Sequence, residues 1–229
     1  MNIVVTIATN QIPVVLQPDG SLTYNAGANI DGDGANGQAG GLPCYAPAVY
    51  TGQTLDKLAN GGHPGNWWGV VTDNGQPNGT PIQQKPTDPC PNAYVSTTSL
   101  LLPAPDGSVL PDSSPFKYVD AATVPFVVLP PEVISAVKPI VMGCKCIVTY
   151  NGTAVAAVVA DQGPGGQIGE ISVACAVAAG IPIGTARDPI DGRIYPANGG
   201  GAPYPTVSYQ IFPGVIAVVN GVAYPLQPS

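Results

Sequence analysis

Charge is scarce in this chain. Only 9% of its 229 residues are Asp, Glu, Lys or Arg, and just seven are basic. With 14 acids the net charge is −7, which excludes the basic surface that a nucleic-acid backbone requires. An acidic surface favours cationic ligands instead, although it also serves solubility alone. Glutamate occurs only twice, as Glu132 and Glu170. No run approaches 18 uninterrupted apolar residues, so no membrane-crossing helix and no membrane partner are expected. The first nine residues hold an apolar run without a basic start or a small-residue cleavage site, so they are not read as a signal peptide. Histidine occurs once, as His63. Cys144-Lys145-Cys146 therefore lacks companions for a zinc site, and no metal or cofactor is implied.

Glycine and proline are plentiful, at 29 and 27 residues. That content approaches the composition of disordered chains, yet 45% hydrophobic residues can bury a core. Many short strands joined by Gly/Pro turns reconcile the two, in a single domain spanning residues 1–229. Residues 1–24 read as a peripheral strand pair around the turn Pro18-Asp19-Gly20. Residues 34–66 and 76–92 read as long Gly/Pro-rich surface loops, with a short helix near residues 54–59. Strands are expected at 67–72, 94–102, 126–129, 140–142, 146–150, 154–160, 207–212, 215–219 and 222–224, with Asn151-Gly152 and Asn220-Gly221 as hairpin turns. In the irregular loop 182–203, Arg187, Asp188, Asp191 and Arg193 are expected to pair on the surface.

The most informative stretch runs from Ala154 to Ile181. A Val-rich apolar run reads as a buried strand ending at Asp161. Gly163-Pro164-Gly165-Gly166 makes a tight loop. Gly169 and Glu170 then open a helix whose residues Ile171, Ala174, Cys175 and Ala178 follow helical spacing, with Gly180 as its C-terminal cap. Taken singly, Asp161 is a common turn residue and Glu170 a common partner of a helix dipole. Together they bracket one loop with two carboxyls. Glycoside hydrolysis needs such a pair, one to protonate the leaving oxygen and one to activate water or attack.

Val158-Val-Ala-Asp161-Gln-Gly163-Pro164, followed by Ile168-Gly-Glu170-Ile-Ser172, resembles the signature of the fungal-type chitosanases, glycoside hydrolase family 75. Members carry Asp-x-Gly-Pro and then Ile-Gly-Glu-x-Ser, with that Asp and Glu as the essential pair. Val124-Pro-Phe-Val-Val-Leu-Pro130 and Val207-Ser-Tyr-Gln-Ile-Phe-Pro213-Gly214 resemble flanking strands of the family. Trp67-Trp68-Gly-Val-Val-Thr-Asp73 and Tyr94-Val-Ser-Thr-Thr-Ser-Leu100 resemble segments of its bacterial members. The similarity spans roughly Asp31 to Gly214.

The resemblance implies a mainly β fold, a six-stranded double-psi β-barrel with one packed helix. It implies endo-hydrolysis of β-1,4 linked glucosamine with inversion. From the residues themselves, Glu170, between apolar Ile168 and Ile171, is taken as the acid because desolvation raises a carboxyl's pKa, and Asp161 as the base. The implied partner is the cationic polysaccharide chitosan; a secreted monomer is expected. Asp31 and Asp33 match an Asp-x-Asp-Gly of the family and become candidate contacts for a sugar amine, with Gln162 and Trp68 as further substrate-binding candidates. The spacing of Asp31 and Asp33 also copies the opening of a calcium loop, but Gly40 stands where the closing Glu belongs. A plain Asp-Gly turn is the alternative, as is a buried Trp68. A peptidoglycan lytic transglycosylase, which needs one acid, and a non-catalytic carbohydrate-binding protein are the competing functions. Among five cysteines, Cys44 and Cys90 are the expected disulfide if the compartment is oxidising, and Cys175 is expected as a buried free thiol.

Overall fold

A computed structural model describes residues 2–38, 44–50, 61–184, 186–187, 194–195 and 200–228. The chain opens with β1 (Asn2–Ile7), β2 (Ile12–Leu16) and β3 (Leu22–Asp31). A long excursion follows, holding only the small hairpin β4 (Gly62–His63) and β5 (Asn66–Trp67). Next come β6 (Phe126–Leu129), α1 (Pro131–Ala136), β7 (Cys144–Tyr150), β8 (Thr153–Gln162), β9 (Glu170–Ser172) and α2 (Val173–Ala179). The chain ends with β10 (Ala186–Arg187), β11 (Ile194–Tyr195), β12 (Ala202–Val219) and β13 (Val222–Tyr224).

The main sheet runs β1-β2-β3-β9-β6-β8-β7-β12-β13, and a further β3–β12 pairing closes six of these strands into a barrel. Within it β3–β9 and β6–β8 are parallel, while the other four pairings are antiparallel. Closure removes the unpaired edges that an open sheet of Val-rich strands would expose. Alternation decides which face looks inward. On β3, Leu22, Tyr24, Ala26, Ala28 and Ile30 are buried while Asn25 and Asn29 are exposed. Tyr24 stacks on its directly paired neighbour Tyr209 with ring centroids 4.7 Å apart. The Tyr209 hydroxyl donates to the Gly27 carbonyl at 2.8 Å, so a buried phenol is satisfied by the barrel's own backbone. No described helix is long and apolar enough to cross a membrane.

Several expectations are met. The N-terminal strand pair, the strands at 126–129, 146–150 and 154–160, and the Asn220-Gly221 hairpin all form. Cys44 and Cys90 are joined by a disulfide, and Cys175 is a buried free thiol.

Others are corrected. Glu170 does not open the helix: residues 170–172 are strand, because β3 and β6 both pair with them. The helix starts at Val173 behind Ser172, whose Oγ accepts the Cys175 N–H; Gly180 caps its end in the left-handed region as expected. A second helix, α1, accompanies it. The segments 67–72, 94–102 and 140–142 make only isolated bridges beyond β5, and the two strands expected at 207–219 are one continuous β12. The helix near 54–59 and the pairing of Asp188, Asp191 and Arg193 lie outside the described residues, as does the Arg187 side chain.

One backbone crossing fixes the β3–β9 junction. Gly169 has φ +102°, and a Cβ on it would lie 2.7 Å from the Gly27 carbonyl oxygen. Gly169→Ala is expected to cost about 2 kcal/mol or more through strain and collision. Gly20→Ala, also at positive φ but facing open space, costs about 1 kcal/mol from backbone strain alone. Urea unfolding midpoints at unchanged slope measure both.

Candidate active site

A β-bulge aims Asp161. On β6, Val127 pairs with Val159 and Val128 with Asp161, so Ala160 is an extra residue in β8. Bulges turn the following side chain and free a backbone group. The freed Ala160 carbonyl accepts the Leu100 N–H at 2.8 Å, tying the 96–101 segment across the barrel wall. Ser99, next to Leu100, gives Asp161 Oδ1 its backbone N–H at 2.9 Å and its hydroxyl at 2.6 Å. Gln162 adds its own N–H at 2.8 Å.

Register then aims Glu170. Val128 faces Asp161 on one side and Glu170 on the other. Directly paired residues share a face of the sheet, so both acids project beside one valine, two strand spacings or about 10 Å apart at Cα. This is the outer face of the barrel, opposite the Tyr24–Tyr209 interior. Asn29, exposed on β3, pairs with Glu170 and lengthens the row. The Glu170 carboxyl reaches toward Gly163: a Cβ there would lie 3.4 Å from Oε2. The loop 163–169 between the acids is itself pinned, since Glu132 Oε1 accepts the Gly166 N–H at 2.9 Å and Thr9 N–H donates to the Gly166 carbonyl at 3.1 Å.

Two further acids join them. Asp31 lies on β3 on the Glu170 side and accepts the Asp33 N–H at 2.7 Å. Carboxylate oxygens of Asp31, Asp33 and Asp161 all come within 4.8 Å of one another. By distance alone such a trio suits any cation; nothing else in its surroundings favours a metal over an ammonium group.

Electrostatics follow from crowding. Burial, then the charge of Asp161, raise the Glu170 carboxyl from 4.5 to about 7. Burial also raises Asp161, but the Ser99 hydroxyl and the two N–H donors pull against it, leaving it at about 6. Asp31 and Asp33 are pushed well above the ordinary range, by burial first and by neighbouring acids second. Asp161 and Glu170 keep partial solvent access in spite of this desolvation. Among the described residues, no Lys or Arg offsets the cluster.

The remaining candidates divide. Gln162 is exposed and contributes its backbone rather than its side chain to Asp161. Trp68 is 51% exposed and edge-on to His63, whereas Trp67 is buried. Trp68 connects to the cluster indirectly, because the adjacent Gly69 carbonyl accepts the Ser96 hydroxyl at 3.3 Å and that hydroxyl also reaches Asp33 at 3.4 Å.

Sequence reading missed the support beneath these residues. Buried Asn36 exchanges hydrogen bonds with the Ser96 backbone, both at 2.8 Å. Buried Gln84 donates to Asn36 and accepts the Cys90 N–H at 2.9 Å. The acid wall is thereby tied to the Cys44–Cys90 disulfide. Ser99 lies in the Tyr94–Leu100 segment but nothing there singles it out, and no motif marks Asn36 or Gln84; only the long-range contacts identify them.

No protein-family model and no curated protein matches the chain.

A raised carboxyl pKa means that the folded state holds its proton more tightly than the unfolded chain. The associated stability is present at low pH and lost as pH rises from 4.5 through about 7 for Glu170. Glu170→Gln should therefore melt higher than wild type above pH 7, with the difference narrowing toward pH 4.5. Melting temperatures of both proteins across this range test it; a pH-independent difference contradicts it.

Proposed function

We propose that this protein is an endo-acting chitosanase of the family 75 type, built on a double-psi form of the six-stranded barrel. It hydrolyses β-1,4 linkages between glucosamine units with inversion. The observation that carries this reading is the acid pair aimed from either side of Val128 onto one face, with Asp31 and Asp33 beside it. Side chains based about 10 Å apart at Cα can set their carboxyls within the roughly 6.5–9.5 Å that inversion uses to seat a water between them.

The roles follow from surroundings. Glu170 is desolvated by burial, sits beside another acid and accepts no hydrogen bond from a described residue, conditions that keep its proton on. It donates that proton to the glycosidic oxygen. Asp161 receives three donors, conditions that keep it ionised, and it takes a proton from the attacking water. The surplus of carboxyls suits an ammonium-bearing polymer, whose positive charge relieves their mutual repulsion. Trp68 offers an exposed ring for stacking on a sugar face. Secretion fits the Cys44–Cys90 disulfide, since such bonds persist in oxidising compartments.

Reducing-end release from soluble chitosan tests the activity. Glu170→Gln and Asp161→Asn should each lower it by about 10² or more while leaving the fold intact. Peptidoglycan cleavage that survives loss of Glu170 would instead favour the one-acid lytic transglycosylase, and binding without turnover a carbohydrate-binding protein. The rate should fall below about 6 as Asp161 protonates and above about 7 as Glu170 loses its proton. A profile flat across that interval contradicts the assignment.

A further inference from the structure

Asp161 uses its two oxygens unequally. Oδ1 collects all three donors: the Ser99 N–H at 2.9 Å, the Ser99 hydroxyl at 2.6 Å and the Gln162 N–H at 2.8 Å. Oδ2 accepts no hydrogen bond from any described residue. The Gln162 N–H also lies 3.1 Å from Ser99 Oγ, so the three groups form one closed knot.

Ser99 is itself held firmly although it is exposed. On its C-terminal side, the Leu100 N–H is bound to the bulge carbonyl of Ala160 at 2.8 Å. One residue on, the side-chain amide of Gln227 grips the Leu101 backbone in both directions, accepting its N–H at 3.0 Å and donating to its carbonyl at 2.6 Å. An exposed serine hydroxyl would ordinarily exchange among waters. This one is delivered to a single carboxylate oxygen by two anchors from distant parts of the chain.

We propose that Ser99 is a positioning residue that holds Asp161 ionised and reserves Oδ2 as the oxygen that takes the proton. The inference rests on Asp161 being the base. In the hydrolytic step the water oxygen bonds to the anomeric carbon as the bond from that carbon to the glycosidic oxygen breaks. The proton released by the water passes to Asp161 Oδ2, and the Glu170 proton passes to the departing oxygen. Burial is the main opponent of Asp161 ionisation, and the titratable groups that face it, Asp31 from β3, Asp33 just beyond it and Glu170 from β9, are all acids. With no described cation among them, donors to Oδ1 are what keeps the base charged, and Ser99 supplies two of the three.

The test uses full-length Ser99→Ala and Ser99→Thr, with far-UV circular dichroism as the check on fold. Losing one charge-assisted hydrogen bond should raise the Asp161 titration midpoint by about one pH unit, read by carboxyl-carbon NMR. The acid limb of the chitosan rate profile should move up by the same amount, slowing the variant about tenfold on that limb. Ser99→Thr keeps the hydroxyl and should restore both values. An Asp161 midpoint unmoved in Ser99→Ala overturns the proposal, as does a threonine variant that behaves like alanine. The NMR titration decides the role of Ser99 even in a protein that leaves chitosan uncleaved; absence of cleavage by wild type counts against the chitosanase reading alone.

Discussion

Four carboxyl groups share one patch of this molecule, and their mutual repulsion under poor solvation is the constraint that the surrounding structure answers. Nothing in the described cluster neutralises them. Instead the fold spreads a small number of N–H and O–H donors unevenly, most of them on Asp161 and none on Glu170. Uneven solvation holds the proton of Glu170 somewhat more tightly than that of Asp161. Such a patch is costly to fold.

The barrel makes that expense tolerable. β9, β6 and β8 are paired neighbours, so the spacing between the acids is set by interstrand hydrogen bonds rather than by loop conformation. Strand-borne groups are held more narrowly than loop-borne ones. The second half of the patch is built differently. Half-buried Asp33 and buried Ser96, Asn36 and Gln84 form a polar chain ending at a disulfide. Each amide in it is satisfied by backbone, which makes the chain specific about geometry. One wall is fixed by sheet register and the other by a polar lattice.

Much of this was legible in the residues. The Val-rich run before Asp161, the glycines after it and the Asn-Gly turns announced strands and hairpins, and the two acids were visible as a pair. The helix start was misread because Glu170, Ile171 and Ser172 continue the helical spacing of the residues after them. What overrode that spacing was non-local, namely pairing with β3 and β6 from over 40 residues away. The bulge at Ala160 is likewise silent, because an alanine in a valine run gives no sign of being unpaired. Ser99 lay inside a Ser/Thr-rich stretch with nothing to separate it from Ser96 or Thr98. Its partner is 62 residues distant.

Barrel closure has a consequence for how the chain acquires this site. β12 pairs with both β7 and β3, and it begins at Ala202 of 229 residues. A ribosome must therefore release the chain to beyond residue 202 before the last seam can zip. Contacts so distant along the chain make for slow assembly. They also keep Asp31 and Asp33 in water, apart from Asp161 and Glu170, until β9 has emerged to pair with β3.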